Sequence, residues 1–384
     1  MRKIHMVDLG GQYQGIKDEV NASISEILES SAFINGPHVK AFQKELETYL
    51  GVKHVIPCGN GTDALQIAMM GLGLQPGDEV ITADFTFAAT VEVIALLGLT
   101  PVLVDVEPDT FNISLEAIER AITPNTKAIV PVHLFGQCAD IDAIMALAER
   151  HGLFVIEDNA QAIGADYFGK DGSKKKAGTI GHVGTTSFFP SKNLGCYGDG
   201  GAIFTNDDSL AHTLRGMVNH GMYVRYHHDV IGVNSRLDSI QAAVLRAKLP
   251  HLNAYCRRRS EAALKYNEAF GEQSHIVLPM VKGRDKGVDT DGNHHVFHQY
   301  TLRVTNGKRD ALVEHLKERN IPSGVYYPIP LHRQKAYTDT RYKEADFPVT
   351  NQLVQEVVSL PMHTELDDEQ INHIAQTVIG FVNG

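Results

Sequence analysis

The stretch SFFPSKNLGCYGDGGA, residues 187–202, organises the reading of the whole chain. Lys192 stands between an aromatic pair, Phe188 and Phe189, and a glycine-rich turn holding Gly195, Gly198, Gly200 and Gly201. Partial desolvation lowers the pKa of a lysine and leaves its lone pair free for nucleophilic, Schiff-base chemistry. A structural lysine on a loop fits the same letters, so the surrounding sequence has to decide.

Upstream of this stretch, short apolar runs alternate with helical periodicity. Residues 53–58, 79–83, 101–105, 128–133 and 153–157 read as strands, and 86–97, 113–122 and 140–151 as helices, with Ser114 as an N-cap. The turn GNGTDAL, residues 59–65, opens a further helix. Such alternation implies a largely parallel sheet covered on both faces, with ligands bound beyond the carboxyl ends of the strands. Downstream, 203–205 reads as a strand, 210–218 as a helix, and 237–270 as a long helical region broken at Pro250. The break divides the chain into a large α/β domain, residues 1–250, which includes helices at 16–28 and 39–50, and a small α+β domain, residues 251–384. In the latter, 299–304 is a strand, 309–319 and 367–382 are helices, and the polar, glycine-rich segment 281–295 is expected to be mobile.

A net charge of −11 argues against a broad nucleic-acid-binding face and leaves a small anionic ligand open. The lysine run 174–176 reads as a solvated loop. The opening MRKIHMVDLGG lacks the apolar core and cleavage site of a secretory signal, and the apolar segment 91–106 is interrupted by Glu92, Gly98 and Pro101, so no membrane span is expected. Four widely spaced cysteines, Cys58, Cys138, Cys196 and Cys256, read as reduced thiols of a cytoplasmic protein. Of nineteen histidines, His294, His295 and His298 cluster in sequence but lack a carboxylate at supporting spacing, and no metal site is expected.

The chemistry-bearing pieces lie just after apolar runs. In GNGTDAL the free amides of Gly61 and Thr62 at a helix start make an anion site, most naturally for phosphate, although a tight turn with a good N-cap looks similar. Asp158 in FVIEDNAQ ends a buried strand, where a carboxylate needs a cation or several donors; a protonated pyridine nitrogen is one such cation, and an N-cap role is the alternative. Gln161 reaches the same place from the next turn. Phe85 and Phe87 of DFTFAAT suit either a flat ring or the core, and Ser187 adds a donor near Lys192. Phosphate cradle, stacking aromatic, buried aspartate and lysine come in the order needed to hold pyridoxal 5'-phosphate.

These motifs, together with VDLGGQY, PGDEVI, PVHLFGQCAD, GDGGAIFTN, GVNSRLDSIQAA, YYPIPLH and SLPMH, resemble the sugar-nucleotide aminotransferases of the DegT/DnrJ/EryC1/StrS family over nearly the whole chain. The resemblance implies a fold-type I enzyme with a three-layer α/β/α large domain. It makes Lys192 the Schiff-base lysine, Asp158 the pyridinium partner, Gln161 the contact to the ring hydroxyl, Phe87 the stacking residue, and Gly61, Thr62 and Ser187 the phosphate ligands. Asn234 is similar to a family asparagine that reaches a phosphate across a homodimer interface. The resemblance is greatest to the branch that aminates UDP-2-acetamido-2-deoxy-3-oxo-D-glucuronate for surface polysaccharides, with L-glutamate as donor. There Ser31, Phe33, Ser191, Arg236, Tyr326 and Tyr327 match sugar-nucleotide positions, although the branch has glycine, tyrosine and histidine where this chain has Ser31, Phe33 and Tyr326. A guanidinium at 236 suits a carboxylate; an ion pair with Asp238 is its structural alternative. Dehydratases of the family carry histidine in place of the lysine. A different class, a regulator or ligand sensor on the same fold, uses the same scaffold without turnover.

Overall fold

The computed structural model describes residues 1–282 and 292–384, so that residues 283–291 of the segment expected to be mobile lie outside the described residues. Helix α1 (Leu9–Ser30) starts where the Asp8 carboxylate accepts from the amide of Gly11, and α2 (Pro37–Leu50) starts on a proline and stops at Gly51, which turns left-handed at φ 71°.

The predicted alternation follows. Strands β1 (His54–Cys58), β2 (Glu79–Ala83), β3 (Thr100–Val104), β4 (Thr126–Val130) and β5 (Phe154–Asp158) alternate with helices α3 (Gly61–Gly71), α4 (Ala89–Leu96), α5 (Leu115–Ala121) and α6 (Ile141–His151). Next comes a hairpin of β6 (Asp166–Phe168) and β7 (Lys174–Lys176), so the lysine run expected as a solvated loop is exposed at Lys174 and Lys175 but is a strand. The run is a strand because Lys176 reaches the buried Asp166 at 2.8 Å and lies over the Tyr49 ring at 5.0 Å. Strands β8 (Val183–Ser187) and β9 (Gly201–Thr205) complete a seven-stranded sheet ordered β1-β9-β8-β5-β4-β2-β3, in which only β9 runs against the others.

Two apolar layers cover that sheet. On one side Leu65, Ile67, Ile94 and Leu214 pack against Ile56, Val80, Val130 and Ile203; on the other, Ile118, Ile144 and Leu147 pack against Ile81, Val104, Ile129 and Val155. This is the three-layer arrangement expected of the large domain, and it leaves the strand ends as the open edge.

After α7 (Asp208–Met217) and the hairpin β10 (Met222–Val224) and β11 (His227–His228), helices α8 (Ser239–Lys248) and α9 (Leu252–Phe270) are separated by a single tight turn holding Pro250. A second, antiparallel sheet joins β12 (Ile276–Val277), β13 (Tyr300–Val304) and β14 (Val357–Leu360), packed by α10 (Arg309–Glu318) and α12 (Asp368–Asn383) around Tyr266, Phe270, Tyr300, Leu316 and Ile374. Ile4 joins this C-terminal cluster, and α11 (Pro348–Glu356) lays Leu353 and Val354 against the large sheet's layer. Helix α9 serves both units, with Leu252 and Cys256 in one cluster and Ala263 and Tyr266 in the other.

The two units are tied by Asp105, just past β3, whose carboxylate accepts from the Val349 and Thr350 amides and the Thr350 hydroxyl at 2.9, 2.8 and 2.7 Å. Asp105→Ala strands these buried donors and is expected to lower stability by about 1–3 kcal/mol, read as a lower urea midpoint. An unchanged midpoint would show the tie to be idle. Among the described residues no helix is long and apolar enough to cross a membrane.

Candidate active site

The chain leaves β8 at Ser187, makes the turn that carries Lys192, and returns as β9. The turn is tight at Gly195, where an added Cβ would stand 2.3 Å from the Pro190 carbonyl oxygen. It is held from α8 by Lys248, whose Nζ donates to the Gly195 carbonyl at 2.7 Å and lies over the Tyr197 ring at 4.4 Å. Phe188 is buried edge-on against Phe42, whereas Phe189 is exposed at the cavity wall, so the aromatic pair beside Lys192 divides into an anchor and a lining residue. Lys192 itself makes no ion pair within 4 Å among the described residues. Burial pulls its amine down to about 8, against the opposing pull of Asp158.

Asp158 ends β5 and is buried. Its Oδ1 accepts from the Ala160 amide at 3.1 Å and its Oδ2 from the Thr90 hydroxyl at 2.9 Å, which leaves capacity for a further cationic donor. Burial pushes the carboxyl up; the two donors and the nearby Lys192 charge oppose that. Beneath it Glu157 accepts from the amides of Gly178 and Ile180 at 2.9 and 2.6 Å, and from Gly181. His133 Nδ1 accepts from the Ala139 amide at 3.2 Å, which puts the ring proton on Nε2, donated to Glu157 at 2.8 Å. This satisfied layer fixes the strand end on which Asp158 sits.

Helix α3 begins at Gly61, with Asn60 capping the Asp63 amide at 2.8 Å, so the Gly61 and Thr62 amides precede any intrahelical acceptor. An added Cβ at Gly61 would lie 2.7 Å from the Ser187 Cβ, so the helix start and the end of β8 form one narrow cradle. Gln161 Oε1 accepts from the Phe135 amide at 2.8 Å, and its Nε2 donates to the Tyr327 hydroxyl at 3.0 Å, with one amide hydrogen left over. Phe87, 58% exposed, faces Tyr327 at 6.3 Å between centroids. Tyr327 follows a cis peptide bond with Tyr326.

A cavity of about 830 Å³ brings together Gly61, Thr62, Phe87, Asp158, Gln161, Ser187, Ser191, Lys192, Tyr326 and Tyr327. Ser31, Phe33, Asn234 and Arg236 are not among its lining. Ser31 and Phe33 lie on the exposed connection between α1 and α2, and Asn234 is exposed opposite Asn219. Arg236 is partly exposed and makes no ion pair with Asp238 or any other described residue, which removes its structural alternative. Sequence reading missed Thr86, Asp199, His298 and Gln299, which also line the cavity. Thr86 stands one residue from the predicted Phe87, and His298 lies in a histidine cluster weighed only for metal. Of that cluster, His294 stacks on Phe168 and His295 on Phe297.

The cavity fits a flat cationic ring with a phosphate tail. The Gly61–Ser187 cradle offers free helix-start amides of the kind an anion needs, Asp158 keeps acceptor capacity for a ring N–H, and the buried Thr86 hydroxyl has no protein partner among the described residues. Comparison with known proteins agrees. The DegT/DnrJ/EryC1/StrS aminotransferase family pattern matches residues 14–379. The chain is 47% identical over 382 residues to the pleiotropic regulatory protein of Geobacillus stearothermophilus, covering 98% of each. It is 46% identical over 371 residues to the UDP-2-acetamido-2-deoxy-3-oxo-D-glucuronate aminotransferase of Pseudomonas aeruginosa, covering 97% of this chain and 98% of that one. Among solved structures, NtdA of Bacillus subtilis with bound cofactor PMP superposes with a TM-score of 0.87 at 32% identity, covering 96% of this chain and 82% of that one. Matched along its length in pattern, sequence and fold, the chain belongs to the DegT/DnrJ/EryC1/StrS aminotransferase family and is a pyridoxal 5'-phosphate-dependent transaminase of fold type I.

Proposed function

We propose that this transaminase carries the amino group of L-glutamate to the keto carbon of a UDP-linked sugar, foremost UDP-2-acetamido-2-deoxy-3-oxo-D-glucuronate, in the cytoplasm and as a homodimer. The observation that carries this reading is that Lys192, Asp158 and the Gly61–Ser187 cradle line one cavity. The substrate assignment leans on relatives named for 3-oxo UDP-sugars at 46% and 45% identity.

When bound, pyridoxal phosphate supplies an aldehyde for an amine and a ring that draws electrons from the carbon losing its proton. Lys192 offers the amine and, when free, takes and returns that proton at Nζ. Asp158 holds the ring N–H in its charged form, Gln161 directs its spare amide hydrogen at the ring hydroxyl, and Phe87 covers one ring face. Gly61, Thr62 and Ser187 donate to phosphate. Ser191, Tyr326 and Tyr327 contact the sugar nucleotide.

Asn234, Arg236, Ser31 and Phe33 serve a site shared with a second copy. Support comes from exposed apolar side chains in the same stretch: Tyr226 is 75% and Ile231 86% exposed, and Ile34 is half-exposed. A second copy that covers them would bring the free Arg236 guanidinium to a sugar carboxylate.

The deciding experiment is a panel of 3-oxo and 4-oxo nucleotide sugars with L-glutamate, the product read by mass and by the position of the new amine. Amination at carbon 3 of the UDP-glucuronate is expected; amination of 4-oxo sugars alone would overturn the substrate. A second reading, a regulator on the same fold, draws on the name of the Geobacillus relative, a pleiotropic regulatory protein. Purified protein should be yellow, lose the visible band to borohydride and shift it with glutamate, whereas a colourless protein unable to take up the cofactor would favour the regulator.

A further inference from the structure

His298 is the one buried titratable side chain of the cavity that the reading above leaves without work. It is 6% exposed and lines the same cavity as Lys192, and its buried Nδ1 has no hydrogen-bond partner among the described residues. Leaving such a group unpaired is costly unless it meets something in the working enzyme.

Its backbone is held from several directions. The Val296 amide donates to Gly136 at 2.9 Å, where the approach is so close that an added Cβ on Gly136 would lie 3.1 Å from the His298 nitrogen. Arg259 of α9 donates to the carbonyls of Phe297 at 3.0 Å, His298 at 3.4 Å and Met362 at 3.0 Å. Asn193, the neighbour of Lys192, donates to the Val296 carbonyl at 2.8 Å. The lysine turn and the histidine segment are therefore fastened to each other by the Asn193 side chain on the Val296 carbonyl.

We propose that His298 is a further active-site residue, a neutral imidazole that accepts a hydrogen bond from the Lys192 amine whenever this amine is free and so positions it for proton transfer. The proposal rests on the reading of Lys192 as the reacting lysine. The charged groups around the ring are Lys192 from the turn and Arg259 from α9, with Asp158 and Asp199 elsewhere on the cavity wall. Burial and the two cations all hold the imidazole far below its usual titration, so it serves as an acceptor and not as an acid. An ammonium with one fixed acceptor has a preferred direction; without it, the long lysine side chain samples the cavity.

The test is the pH dependence of Lys192 labelling in cofactor-free protein, read by mass spectrometry after brief reductive methylation, in wild type, His298→Leu and His298→Gln. The wild-type midpoint is expected near about 8. In His298→Leu the ammonium loses its acceptor, so the midpoint should fall by about 1 to 2 pH units, with kcat lower on the order of 10²-fold and KM for glutamate little changed. His298→Gln, which keeps an acceptor, should restore most of both. A Leu variant with wild-type midpoint and kcat overturns the proposal. Should that variant fold poorly, ¹⁵N-histidine spectra of the wild type decide: one imidazole should shift between the pyridoxal phosphate form, where the lysine is engaged, and the pyridoxamine phosphate form, where it is free. No shift overturns the proposal. Mapping the borohydride-fixed cofactor to a lysine other than Lys192 would instead overturn the underlying reading.

Discussion

Lys192→Ala is expected to lower turnover by at least about 10³-fold while the fold persists, because in the proposed function one nitrogen serves both as the amine that engages the cofactor and as the group that moves the proton. The variant should still bind pyridoxal phosphate through the cradle and Asp158, but borohydride should no longer fix it to the chain. The effect on stability has a definite sign. The lysine's folded pKa of about 8 lies below its ordinary 10.5, so between those values the unfolded chain binds a proton that the folded chain does not. Stability of the cofactor-free wild type therefore rises with pH across that window, and the cost of burying the ammonium is fully present below about 8. Lys192→Ala escapes that cost. It should melt no lower than cofactor-free wild type at neutral pH and lose its relative advantage toward pH 10.5, as thermal scans would show. Substantial turnover in the variant would remove Lys192 from the chemistry.

Asp158→Asn carries the second large effect. The amide keeps the shape and can still accept from Thr90 or Ala160, but it brings no charge to a buried position, where a fixed charge counts for far more than in bulk. Turnover should fall by roughly 10²–10³-fold, as for the loss of one preorganised electrostatic partner. An independent readout follows from the same pair. The Asp158 charge holds the Lys192 amine up against burial, so in cofactor-free Asp158→Asn the lysine should titrate below its wild-type value of about 8. Unchanged turnover together with an unmoved lysine midpoint would refute the assignment.

Much of this site is legible in the sequence because parallel sheets put chemistry at strand ends. An apolar run followed by a turn glycine or a polar residue marks Gly61, Asp158 and Phe87, and all three line the cavity. What escapes reading depends on contacts between distant backbones. Strand β8 is spelled VGTTS, with no apolar run, because its threonines are spent on neighbouring carbonyls: Thr185 on Glu157 at 3.2 Å and Thr186 on Asn159 at 3.1 Å. Gly184 in that strand passes so near Gly178 that no side chain fits. His298 is set at the cavity by the Val296 amide on the Gly136 carbonyl and by the Arg259 guanidinium on its own carbonyl, contacts that no local pattern announces. Ser31, Phe33, Asn234 and Arg236 lie away from the cavity of their own chain, a separation that depends on tertiary placement and has no signature in spacing.

In the sheet, Cys58 pairs with Gly201 and Gly201 with Ser187, so three neighbouring strands end in one row. Gly61 follows the β1 end of that row and lies against Ser187, and Lys192 follows Ser187 along the chain. The span from anion cradle to lysine is therefore gauged by main-chain register, and a slip of one residue would turn Ser187 to the opposite face. On the proposed reading, variants that take a different sugar change the cavity wall at residues such as 326–327, while this calliper stays closed at a single length.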